Sequence, residues 1–173
     1  MTYESLTLIE PAAELEDDFR AYAAEYDALG NPRFKDDATH FDAYLRRVRE
    51  QKQGTGLRSD IVPWTTLWLV GDGKRLLGIS HLRHRLTKRL RKEGGHIGYN
   101  IRPSERRKGY GTKILELTLE KARERGLKRV LVTCDTDNIG SGKIIRKNGG
   151  VFEGESISDR SGKPVSRYWI NLA

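Results

Sequence analysis

Residues 106–112 read Arg106-Arg107-Lys108-Gly109-Tyr110-Gly111-Thr112 and stand where strand-forming residues give way to an apolar stretch with helical spacing. Two glycines separated by one residue remove the side chains that keep a ligand off the backbone, and the N–H groups of a helix's first turn have no partner within the helix. Together with three adjacent cations and the positive end of the helix dipole, those donors make a cradle for an anion such as a pyrophosphate. The same glycines also suit a plain tight turn, and the spacing alone does not separate the two uses.

Other chemistry is thinly represented. Gly140-Ser141-Gly142-Lys143 lacks the upstream glycine and the following Ser or Thr of a Walker loop. One cysteine and four scattered histidines give no ligand pair at metal spacing, so no metal is expected. Cys134 lies in an apolar run and reads as a packed thiol before it reads as a nucleophile. Among the imidazoles, His81 and His84 fall on opposite faces of one strand because their spacing is odd. His96 opens the next strand and is the candidate general base, since an imidazole titrates near neutral pH. Alternation puts His96 on the face opposite Tyr99 and Ile101, so a bulge is needed to bring them together. Each histidine also has a purely structural use.

The elements that must position these residues follow from periodicity. Leu15, Phe19, Tyr22, Tyr26 and Leu29 recur at steps of three and four after Pro11 and before Gly30, which predicts an amphipathic helix. A second is expected from about Asp37 to just before Gly54, and 53–63 reads as a loop. Residues 65–70 and 75–84 flank Gly71-Asp72-Gly73-Lys74 as a hairpin, and residues 85–93, with five basic residues and one acidic one, suggest an exposed extension. There follow a strand over 96–102, a helix over 111–126, a strand over 129–134, a short helix over 138–148, and strands over 151–158 and 165–172. The expectation is one mixed α/β domain spanning 1–173.

A chain of 173 residues is too short for two large domains. Its 32 Lys and Arg against 24 Asp and Glu give a net charge of +8 and make an anionic partner plausible. That sum conceals two opposite parts: the first 50 residues hold 12 acidic and 6 basic residues, so the remainder carries +14. The apolar runs fall far short of the ~18 residues of a membrane span, the start has no basic-then-apolar leader, and the lone Cys134 has no disulfide partner. A soluble cytoplasmic protein without a membrane partner is expected. A basic nucleic-acid module is one alternative, but aromatic residues are not interleaved with the cations as a stacking platform requires.

Pro103-x-x-Arg106-x-x-Gly109-x-Gly111, entered from Tyr99-Asn100-Ile101 and followed by an amphipathic helix, resembles the acetyl-CoA motif of the GNAT N-acetyltransferase superfamily. Asn138-x-x-Ser141 and Lys147-Asn148-Gly149-Gly150 are similar to the segment after that family's fifth strand. The stretches VPWTTLWLV, HLRHRL and RYWINL look like a bacterial subgroup of predicted acetyltransferases. The resemblance implies a central, mostly antiparallel sheet with splayed fourth and fifth strands flanked by helices. It implies acetyl-CoA as co-substrate, held by Tyr99 and Ile101, by the turn from Arg106 to Thr112, and by Asn138 and Ser141. It implies direct acetyl transfer to an amine of a small molecule or peptide, by a monomer or homodimer. The family's frequent acid and base positions are here Ile145 and Thr133, so a non-catalytic acetyl-CoA sensor stays open as an alternative. Relatives seat the acceptor near the N-terminal helices, so Phe34, Asp42 and Trp64 are candidate acceptor contacts. The acidity of that region suggests a cationic amine.

Overall fold

In the computed structural model, which describes residues 2–173, β-branched and aliphatic runs form one seven-stranded sheet. Its strands are β1 (Leu6–Ile9), β2 (Trp64–Gly71), β3 (Arg75–Arg83), β4 (Ile97–Ile101), β5 (Arg129–Asp135), β6 (Val151–Ile157) and β7 (Pro164–Asn171). The spatial order is β1-β2-β3-β4-β5-β7-β6, and every neighbouring pair is antiparallel except β4 with β5. Those two run parallel and share a single register pair, Ile97 with Val132, before they part. The expected splay is therefore real. β1 has no counterpart in the sequence reading, because four residues are too few to display an alternation.

Helices cover both faces. On one, α1 (Glu16–Ala28), α2 (Lys35–Thr39) and α3 (Phe41–Gln53) bury Phe19, Tyr22, Phe34 and Tyr44 against Trp68 of β2. The Phe19 and Trp68 rings stack with centroids 5.2 Å apart. The single helix expected from Asp37 is broken at His40, which leaves helical geometry at φ −116° and ψ 56°. On the other face, α5 (Tyr110–Glu124) and α6 (Ile139–Lys147) pack Leu115, Leu119 and Ile145 on Ile97, Val130 and Val132.

The basic segment expected to extend into solvent instead holds a short helix, α4 (Lys88–Lys92). Thr87 caps it by accepting from the Leu90 N–H at 3.2 Å, and Leu90 is buried. One apolar residue and one cap thus outweigh five neighbouring cations. Among the described residues no helix is long and apolar enough to cross a membrane, and no cluster of His, Cys, Asp and Glu could hold a metal.

Candidate active site

The turn before α5 is shaped by two left-handed residues, Arg107 at φ 61° and Gly109 at φ 86°. Only Gly109 adopts that conformation cheaply. Gly111 is small for a different reason: a Cβ there would lie 2.6 Å from the Ile144 Cδ1 of α6. Among the described residues, the amides of 107–112 find no backbone acceptor, so they point out of the helix start as free donors. Arg106 lies over the Tyr26 ring and Lys108 is held 2.9 Å from Glu105.

A buried ion network fixes this turn to α1. Arg102, 1% exposed, donates to Glu25 at 2.7 Å, to Asp18 at 2.9 Å and to the Leu76 carbonyl at 3.1 Å. Glu25 also accepts from the Ser104 N–H at 3.0 Å, and Glu105 accepts from Tyr3 and Arg75. Burial works to raise both carboxyls, but their hydrogen bonds, with Arg102 and Ser104 for Glu25 and with Lys108, Arg75 and Tyr3 for Glu105, hold them below the ordinary range.

The turn leads into the gap between β4 and β5. The Arg83 N–H donates to the His96 carbonyl and the Arg102 N–H to the Leu77 carbonyl, so even-numbered residues of this stretch carry the ladder to β3. By alternation, the backbone groups of Tyr99 and Ile101 point the other way, into the gap. The Ile101 carbonyl there accepts from Tyr26 Oη at 2.8 Å. Across the gap, Tyr99 Oη and Ser141 Oγ stand 3.0 Å apart, and Asn138 caps α6 by accepting from the Ser141 N–H at 3.1 Å. Burial raises both the Tyr99 hydroxyl and the neighbouring Cys134 thiol above their usual values. A thiol held protonated in this way packs and does not attack.

On the opposite face of the sheet lies a cavity of about 480 Å³ between β2, β3, α3 and the loop before β2. Strand alternation aims Ile79, His81 and Arg83 into it, whereas Ser80 and Leu82 face α5 and the core beneath it. Of the three candidate acceptor contacts, Phe34 and Trp64 are among its walls, whereas Asp42 is exposed and is not part of the lining. His81 has no hydrogen-bond partner among the described residues, and burial, with Arg83 and Arg33 nearby, lowers it to about 4. It is neutral at neutral pH and opens on the cavity.

The other two imidazoles are engaged elsewhere. His96 is 6% exposed, lies outside the cavity, and accepts at Nδ1 from the Leu131 N–H at 2.9 Å. No bulge turns it toward Tyr99. It joins β4 to β5 at the point where the gap closes. His84 sits between Thr65 at 2.8 Å and Arg125 at 2.7 Å. Of the two replaced family positions, Ile145 is fully buried and Thr133 accepts from the Gly94 N–H at 3.0 Å. The cavity itself is basic: Arg33, Arg47, Arg83 and Arg89 line it against only Asp37 and Asp60. Sequence reasoning missed these arginines. Arg83 alone left a signal, sharing a strand face with His81 two residues away.

The family model described as acetyltransferase (GNAT) domain matches residues 6–151. Among curated proteins none matches in sequence. Several solved structures share the fold. The microcin self-immunity acetyltransferase MccE, in complex with acetyl-CoA and AMP, superposes with a TM-score of 0.71 at 15% identity, covering 97% of this chain and 93% of that one. An acetyltransferase from Salmonella typhimurium that modifies the N-terminal serine of a 50S ribosomal subunit protein gives 0.69 at 15% identity, covering 98% and 96%. A spermidine N-acetyltransferase chimera from Vibrio cholerae and hSSAT gives 0.67 at 15%, covering 96% and 95%.

Proposed function

The chain belongs to the GNAT acetyltransferase domain family, and from that membership we propose that it moves the acetyl group of acetyl-CoA directly onto a primary amine, with His81 taking the amine's proton. One arrangement supports this reading: the turn of free amides leads into the splayed gap between β4 and β5, and His81, paired with Gly98 of β4, opens on a cavity one strand away on the other face of the sheet. A diphosphate fits the turn because its donors are fixed in advance by the network around Glu105 and Glu25. The backbone of Tyr99 and Ile101 and the α6 cap at Asn138 then line the path of an extended thiol arm. MccE binds acetyl-CoA, and the ribosomal-protein and spermidine enzymes acetylate amines, which supports the same reaction class here.

Acyl transfer needs a neutral amine, donors for the developing oxyanion and a proton for the departing thiolate. The amine attacks in its neutral form, and His81, within the cavity, takes its proton once the tetrahedral adduct has made that nitrogen strongly acidic. The Tyr99–Ser141 hydroxyl pair meets the last from the opposite wall of the gap. The test is thermal stabilisation by acetyl-CoA followed by thiol release with a panel of amines. The expected result is a shift of several degrees and turnover with at least one amine. Absence of any shift sinks the proposal. A shift without turnover on any amine favours a sensor.

A further inference from the structure

We propose that the acceptor is a small amine bearing an anionic group, a carboxylate or a phosphoryl group, held by the guanidiniums of Arg33, Arg83 and Arg89 in the cavity beside His81. This rests on the acetyltransferase reading above and names the substrate class it leaves open.

The inference starts from the charge balance of the cavity. Its two carboxylates are already engaged: Asp37 pairs with Arg47, and Asp60 makes a two-point contact with Arg58 at 3.1 and 2.9 Å. Three arginines remain that form no ion pair among the described residues, Arg89 acting on Asp60 only through space after Arg58. Arg33 donates to the neutral Asn100 Oδ1 at 2.8 Å, Arg83 to the Gly94 and Gly95 carbonyls at 3.0 and 3.1 Å, and Arg89 to nothing. They surround an apolar wall that includes Val62, Ile79 and Leu90. Like charges gathered beside such a wall repel, most strongly at the half-buried Arg83, since Arg33 and Arg89 are exposed and better screened. The repulsion registers on the groups themselves: burial, Arg89 and Arg160 all push Arg83 down, and Arg83 and Arg33 act on His81 in the same sense.

An incoming anion removes that repulsion, and a guanidinium binds carboxylate or phosphate oxygens through paired N–H donors. The coenzyme's own phosphates do not account for the three cations. The turn that suits a diphosphate belongs to α5, on the other face of the sheet, where it brings Arg106 and Arg107 of its own. A polyamine, by contrast, meets three positive charges and no free carboxylate. Of the acidity of the first 50 residues only Asp37 reaches the cavity, where it pairs with Arg47, while Asp18 and Glu25 face Arg102 and Glu10 faces Lys52.

The test uses amines that differ only in the anion: β-alanine against β-alaninamide, and O-phosphoethanolamine against 2-methoxyethylamine, with spermidine as the cationic member. Two readouts are taken on the full chain. These are kcat/KM from thiol release, and calorimetric binding to protein saturated with coenzyme A, which does not depend on turnover. At least one anionic probe should exceed its neutral partner about tenfold, the equivalent of one charge-assisted contact, and spermidine should be poorest. Which arm responds identifies the anion. Arg89→Gln, at an exposed site, should shrink that ratio to threefold or less, and Arg33→Gln should act likewise. Equal binding of charged and neutral partners, absent binding of both anions, or a preference for spermidine overturns the inference. Failure of the acetyltransferase reading is seen separately, as no stabilisation by acetyl-CoA, and the same probes titrated into the free protein then decide this one.

Discussion

Burial lowers His81, His84 and His96 alike to about 4, yet the three rings do different work. His96 and His84 use ring nitrogens in hydrogen bonds to Leu131 and to Thr65 and Arg125, whereas those of His81 are free to meet an incoming amine. His81→Gln should therefore lower kcat by about 10²-fold or more while acetyl-CoA still stabilises the protein. His96→Ala should leave turnover per folded molecule intact and cost about 1–3 kcal/mol, because the buried Leu131 N–H loses its acceptor. Steady-state kinetics beside urea unfolding of both variants separates the roles. Loss of activity on replacing His96 with no loss of stability would return the base to β4. In the kcat/KM profile, which reports free enzyme, the limb belonging to His81 should lie near pH 4 and not near 6.5.

At the scale of elements, the functional geometry depends on where two strands part and where one helix begins. Gly95 sits at the first of these with φ 60°, and a Cβ there would stand 2.4 Å from the Leu131 carbonyl. Gly95→Ala should thus strain the backbone and push β4 from β5, lowering stability by more than about 2 kcal/mol and raising the KM for acetyl-CoA. Gly109→Ala has open space around it and meets only the left-handed cost of about 1–2 kcal/mol. Gly111→Ala need displace only the terminal methyl of Ile144 and should be milder. Denaturant midpoints with acetyl-CoA titrations check the order; equal effects at the three glycines contradict it. The turn and the helix behind it were legible because glycine, charge and a 3.6-residue period coincide in 106–126. Gly95 was not, because its constraint comes from a carbonyl on a strand 36 residues away. The same holds for the cavity. Arg33, Arg83 and Arg89 come from three separate elements, and only the packing of α1–α3 over β2 and β3 brings them together.

For the whole molecule, the net +8 and the acidic first 50 residues find a structural use before a recognition one. Asp18 and Glu25 of α1 neutralise the buried Arg102, so the two oppositely charged parts of the chain are clamped just before the turn that opens α5. This arrangement makes the fold sensitive to acid, and the sign follows for each group. The imidazoles are lowered from 6.5 to about 4 on folding, so between those values the unfolded chain binds protons that the folded chain refuses. Stability is then fully present above pH 6.5 and falls as pH drops toward 4, by up to about 3 kcal/mol for a buried ring such as His96 and less for the more open His84. Glu25 and Glu105, also lowered, add loss in the same direction once pH passes below their ordinary 4.5. The melting temperature should accordingly fall by at least about 5 °C between pH 6.5 and 5 and more steeply below 4.5. Scanning calorimetry at constant ionic strength measures it, and His96→Ala should flatten the upper part of the curve, since the ring that refuses the proton is gone. A melting temperature unchanged from pH 7 to 5 in the parent chain would mean that these rings accept protons in place, and with it that His81 is not the neutral group that the proposed transfer requires.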